Sequence, residues 1–121
     1  MIEIKIPFKT PTINHLYGQR GYRKFLTKEA KELRRKIFEI VQKIKKEGFF
    51  IKDANNLKIT VEIYEDWHTK DGRVKRKDVA NREKFLVDSI FEELDLDDKG
   101  IFHHTMIKKQ SDKEFAVVTI T

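Results

Sequence analysis

Cysteine is absent from the 121 residues. Its absence excludes disulfides, thiolate nucleophiles and thiolate zinc sites, so any bound metal has to be held by oxygen or imidazole ligands. Long apolar runs are missing too. Nothing approaches the ~20 residues of a membrane span, and the first residues lack the apolar core of a signal peptide, so a cytoplasmic protein without a membrane partner is expected. No low-complexity tract, repeat or composition shift breaks the chain. Its length is that of one domain, residues 1–121, able to bury roughly two thirds of the surface its unfolded form exposes. No motif for Ser-His-Asp catalysis is present.

Charge, by contrast, is abundant. Asp, Glu, Lys and Arg make up 38% of the chain, with a net charge of +6, against an average charged fraction of about 25%. A basic excess attracts polyanions when it is clustered. Here Arg20, Arg23, Lys24 and Lys28 form one group. Arg34, Arg35, Lys36, Lys43, Lys45 and Lys46 form a second, and Arg73, Lys75, Arg76 and Lys77 a third.

Ile2, Ile4 and Ile6 alternate with Glu3 and Lys5, the period of a strand with one buried face. Residues 8–26, punctuated by Pro11, Asn14, Gly18 and Gly21, read as a long basic loop that covers or lines something. Thr27 reads as the N-cap of a helix whose apolar face is Ala30, Leu33, Ile37, Ile40, Val41 and Ile44, ending at Gly48. Leu57, Ile59, Val61 and Ile63 mark a second strand, followed by a polar, mobile excursion over 65–77 with a turn at Asp71-Gly72. A second helix starts near Val79 or Asn81 and carries Phe85, Leu86, Val87, Ile90, Phe91 and Leu94. Residues 101–109 and 114–120 read as two closing strands. The order β-α-β-α-β-β indicates an α+β fold, a small sheet of about four strands with two helices packed on it.

Chemistry concentrates around the second helix. Lys77 and Asp78 precede it, and Asn81, Lys84 and Asp88, three and four residues apart, share its narrow polar side. Asp95, Asp97 and Asp98 follow it. Basic residues running into carboxylates is the local chemistry of metal-assisted phosphodiester cleavage. Carboxylate ligands favour Mg2+ or Mn2+. Each piece has a plainer reading: Asp78 as a cap, 95–98 as a solvated turn, 73–77 as loop charge. A cap, however, does not require a lysine on the polar stripe. An EF-hand starting at Asp95 fails, because its fifth and twelfth positions are Lys99 and Met106. His103 and His104 face opposite sides of a strand and make no zinc motif, one of them reading as a half-buried strand residue.

These residues resemble a known family, the RusA-type Holliday-junction resolvases. Pro11-Thr12-Ile13-Asn14-His15-Leu16-Tyr17 is similar to its early Pro-Ser/Thr-x-Asn-x-x-Tyr segment. Lys24-Phe25-Leu26-Thr27-Lys28-Glu29-Ala30 is similar to the start of its first helix. The family's basic-Asp-x-Asp-Asn-x-x-Lys, apolar helix with an aspartate, and Leu-x-x-Asp-Asp fall on Lys77, Asp78, Ala80, Asn81, Lys84, Asp88, Asp97 and Asp98. The resemblance implies a homodimeric endodeoxyribonuclease that binds four-way junction DNA by shape and nicks opposing strands with Mg2+ or Mn2+. It implies that Asp78 and Asp98 hold the metal and, with Lys84, form the catalytic set. DNA contacts are expected from Asn14, Lys24, Arg73, Lys75, Arg76, Lys77 and Asn81. Ala80 departs from the pattern, standing where the family has its second aspartate, and removes a ligand oxygen. It has the form of an inactivating substitution. The other two accounts are a natural junction-binding protein without catalysis and replacement of the ligand by Asp88 or Asp97. A basic RNA-binding protein is the reading from a different class.

Overall fold

The computed structural model describes residues 1–10, 17–20, 23–76 and 80–121, with side chains at 1–10, 27–76 and 82–121. In chain order these form β1 (Ile2–Ile6), β2 (Tyr17–Arg20), β3 (Arg23–Leu26), α1 (Lys28–Glu47), β4 (Leu57–Glu65), α2 (Ala80–Glu93), a 3-10 turn (Asp98–Gly100), β5 (Ile101–Gln110) and β6 (Phe115–Ile120). The α+β order expected from periodicity is present.

A mixed sheet runs β1-β6-β4-β5. β6 lies antiparallel to both β1 and β4, while β4 and β5 run parallel, joined through α2. The register explains the alternation in the sequence. Ile4, Val118 and Val61 align across three strands, as do Ile2, Ile120 and Ile59, and all six are buried. Both helices contribute to the same core, α1 through Ala30, Ile37 and Val41, α2 through Phe85, Leu86, Val87, Ile90, Phe91 and Leu94. The alternate residues of the strands form the more open face, where Tyr64 and Phe115 stack at 4.3 Å.

Local signals placed the ends of α1. The Thr27 hydroxyl accepts from the Ala30 amide at 3.2 Å, and Gly48 closes the helix at φ 86°, a conformation glycine adopts without steric cost.

Two expectations are corrected. Residues 8–26 are not simply a loop, because Tyr17–Arg20 and Arg23–Leu26 pair as a separate antiparallel hairpin. Strands of only four residues are too short to leave a clear period in the sequence. The stretch after β4 is also tied down where a mobile excursion was expected. Trp67 is buried; its indole N–H donates to the Ile63 carbonyl at 3.1 Å, and its amide donates to Gln110 Oε1 at 3.0 Å. His68 bridges to Val74 across the reversal at 69–72.

Candidate functional site

Helix α2 positions the site because it is nearly all core. Its apolar residues fix its rotation, and Lys84 and Asp88 are left on the exposed stripe, where they pair at 3.5 Å. Beneath the helix start, Arg82 is buried and forms an ion pair with the buried Glu65 of β4, its guanidinium 5.6 Å from the Trp67 ring centre. A buried pair of this kind is costly to break, so it holds the start of α2 against the end of β4.

The turn after α2 sorts the aspartates. Asp95 takes a positive φ of 56°. Asp97 caps the 3-10 turn, its carboxylate accepting from the Lys99 amide at 3.0 Å. Asp98 follows as the first residue of the turn. Gly100, which is buried, closes it. A Cβ at Gly100 would lie 2.1 Å from the Ala54 carbonyl oxygen, so the connector before β4 and the turn carrying Asp98 fit only with glycine there.

Lys84, Asp88 and Asp98 line one pocket of about 340 Å³, together with Glu83, Val87, Ile101, Phe102 and His104. Asp88 and Asp98 also border a neighbouring acidic depression with Glu92, Asp95 and Asp97. Two of the three expected catalytic residues, Lys84 and Asp98, are therefore neighbours in space. Asp78, Lys77 and Asn14 lie outside the described residues, as do the side chains of Lys24, Ala80 and Asn81. Helix α2 begins at Ala80, between the two expected starts.

Of the third basic cluster, Arg73, Lys75 and Arg76 are among the described residues, and none of them lines the Lys84 pocket. Lys75 pairs with Asp66 at 3.9 Å in a small pocket with Lys9, Glu65, Asp112 and Glu114, which shares no residue with the Lys84 pocket. Asp66 is held below the usual carboxylate range, chiefly by the Gln110 side-chain amide and then by the His68 amide. Arg73 is exposed beside Asp71 at 3.3 Å, and Arg76 is exposed.

Sequence reading missed Glu83 and His104 as site residues. Glu83 is buried on α2 and its Oε1 lies 2.7 Å from His104 Nε2. Burial pushes its carboxyl above the usual range, while His104 pulls the other way. His104 aligns with Ile59 in the register, so it ends a sheet row whose other members, Ile2, Ile120 and Ile59, are buried. The sequence carried half of the signal, a glutamate at an apolar-stripe position of α2; the side of β5 that His104 takes depends on the register with β4.

The donors fit a divalent cation in kind, since Asp88 and Asp98 offer hard carboxylate oxygens to one pocket. Among the described residues no three His, Asp or Glu side chains are grouped closely enough to hold an ion. Among those residues no helix is long and apolar enough to cross a membrane. The family model for the endodeoxyribonuclease RusA matches residues 7–121. No curated protein matches the chain.

Proposed function

Because this chain belongs to the RusA endodeoxyribonuclease family, a family of junction-resolving nucleases, we propose that it binds four-way DNA junctions as a homodimer and that its site is built for metal-dependent strand nicking. The observation that carries this reading is the shared pocket of Lys84, Asp88 and Asp98 on a helix whose remaining faces are committed to the core. Symmetric nicking of opposing strands requires two such sites about a two-fold axis.

Asp98 and Asp78 would hold Mg2+ or Mn2+, which when bound supplies positive charge to the phosphate oxygens and lowers the pKa of a water. Hydrolysis forms a bond from water oxygen to phosphorus as the bond to the 3′ oxygen breaks, leaving a 5′-phosphate and a 3′-hydroxyl. Lys84 contributes by placing its ammonium against a non-bridging oxygen, where negative charge grows in the transition state. Asp88, 3.5 Å from that ammonium, orients it. Asn81 would orient Asp78 or a water. Asn14, Lys24, Arg73, Lys75, Arg76 and Lys77 would grip the phosphate backbone, setting position and not sequence.

Ala80 supports a second reading, junction binding without cleavage, since a methyl group offers no metal ligand where the family has an aspartate. One experiment separates these readings. The protein is titrated against a synthetic four-way junction, a linear duplex of equal length and a structured RNA, with and without Mg2+ and Mn2+. Junction preference with metal-dependent nicking supports the nuclease. Junction preference without nicking supports the silent form, and equal affinity for all three nucleic acids removes both.

A further inference from the structure

The parallel register between β4 and β5 skips one residue. Leu57 aligns with Ile101 and Lys58 with His103, leaving Phe102 without a partner. A bulge of this kind bends the strand and re-aims the side chain of the extra residue, and such irregularities gather beside active sites. Phe102 is 70% exposed and lies on the wall of the pocket that holds Lys84 and Asp98. It follows directly on Gly100 and Ile101, so the contact of the Gly100 turn with Ala54 fixes where the bulge emerges.

A solvated phenyl ring on a charged rim calls for an occupant. A protein surface large enough to dock stably would need a broad apolar patch around the ring. The pocket wall Phe102 belongs to is mostly charged or polar, with Lys84, Glu83, Asp88, Asp98 and His104, its other apolar members being the buried Val87 and the half-buried Ile101. A flat apolar face joined to a nearby anion suits this setting better, and a nucleobase on its phosphate has that form. Linear duplex keeps its base faces covered, whereas a four-way junction held open leaves the base pairs at its branch point without a stacking neighbour. We propose that Phe102 stacks on a base uncovered at the branch point while Lys84 takes the adjoining phosphate, and that this contact selects branched over linear DNA. The proposal rests on the nuclease reading above and adds a selectivity residue to it.

The test needs only binding. In the full chain, Phe102→Ala should weaken junction affinity about tenfold, as expected for losing one base–aromatic stack, and leave linear duplex affinity unchanged. Phe102→Tyr should behave as the unaltered protein. Phe102→Trp adds an exposed indole to a chain whose one tryptophan, Trp67, is buried, so its added emission should be quenched by junction DNA and not by duplex. Junction preference unchanged by Phe102→Ala, or equal loss on both DNAs, overturns the proposal and leaves the nuclease reading standing. A loss of self-association in sedimentation on Phe102→Ala would place the ring between copies of the chain and also overturn it. If the unaltered protein shows no preference for the junction, both readings fall.

Discussion

Glu83 and His104 meet at 2.7 Å, a carboxylate from the start of α2 against an imidazole from the edge strand β5. This contact fastens the helix that carries Lys84 to the strand that carries Phe102, across the mouth of the pocket. Glu83 is buried, its carboxyl is raised chiefly by that burial, and its charged neighbours among the described residues are His104, Lys84 and Asp88. A carboxyl raised on folding binds its proton more tightly in the folded state, so its effect on stability is most favourable below the usual glutamate range. The advantage is lost as pH rises through the raised value.

Glu83→Gln should therefore match the unaltered protein in stability at acid pH and gain on it as pH rises toward neutrality. Urea unfolding of both proteins across that range measures it, and a difference independent of pH would show that Glu83 is not held above its ordinary value.

Ala80→Asp should confer Mg2+-dependent nicking of a synthetic junction, or raise it if the chain already cleaves. In that background Asp98→Asn should abolish nicking and leave junction affinity within about twofold, because a metal ligand serves the transition state more than the grip on DNA. Lys84→Ala should lower turnover more than affinity. Ala80→Asp with normal binding and no nicking in Mg2+ or Mn2+ would overturn the assignment of the site.

The buried pair predicts a large and unequal response. Arg82→Met, which removes the buried guanidinium paired with Glu65, should destabilise the protein in chemical denaturation, by up to about 3–5 kcal/mol. The double replacement Arg82→Met with Glu65→Leu should recover part of that loss, since removing both charges is less damaging than removing one. A double variant no more stable than the single would show that the pair itself contributes the stability.

Arg76 and Lys75 should differ. Arg76→Ala should flatten the dependence of log affinity on log salt by about one unit, the amount for one phosphate contact. Lys75→Ala should do less, because its ammonium is already near Asp66. Equal slopes for both variants would indicate that Lys75 leaves Asp66 when DNA binds.

The parts of the fold legible in the sequence are those with a sustained period. Ile59, Val61 and Ile63 alternate because one face of β4 is buried, and Phe85, Leu86, Ile90 and Leu94 recur because α2 turns into the core. Lys84 and Asp98 were legible through their motif and share a pocket. What could not be read is what depends on pairing between distant segments. The bulge at Phe102 puts Ile101 and His104 both on the helix side, three residues apart, where strict alternation would have set Ile101 with His103. The burial of Glu83 and Trp67 likewise depends on His104 and Gln110, which are remote in sequence.

Gly100 carries a consequence for how this protein can vary. The connector 49–56 bears none of the proposed chemistry, yet its Ala54 carbonyl fills the space a methyl group would need at Gly100. Clearance there is smaller than one methyl radius, so a length change in the connector has nowhere to be absorbed and is passed to the turn holding Asp98. Insertions tolerated on other surface loops should be rejected in this one, making a segment of no chemical interest a gauge that sets the reach of the site's carboxylate.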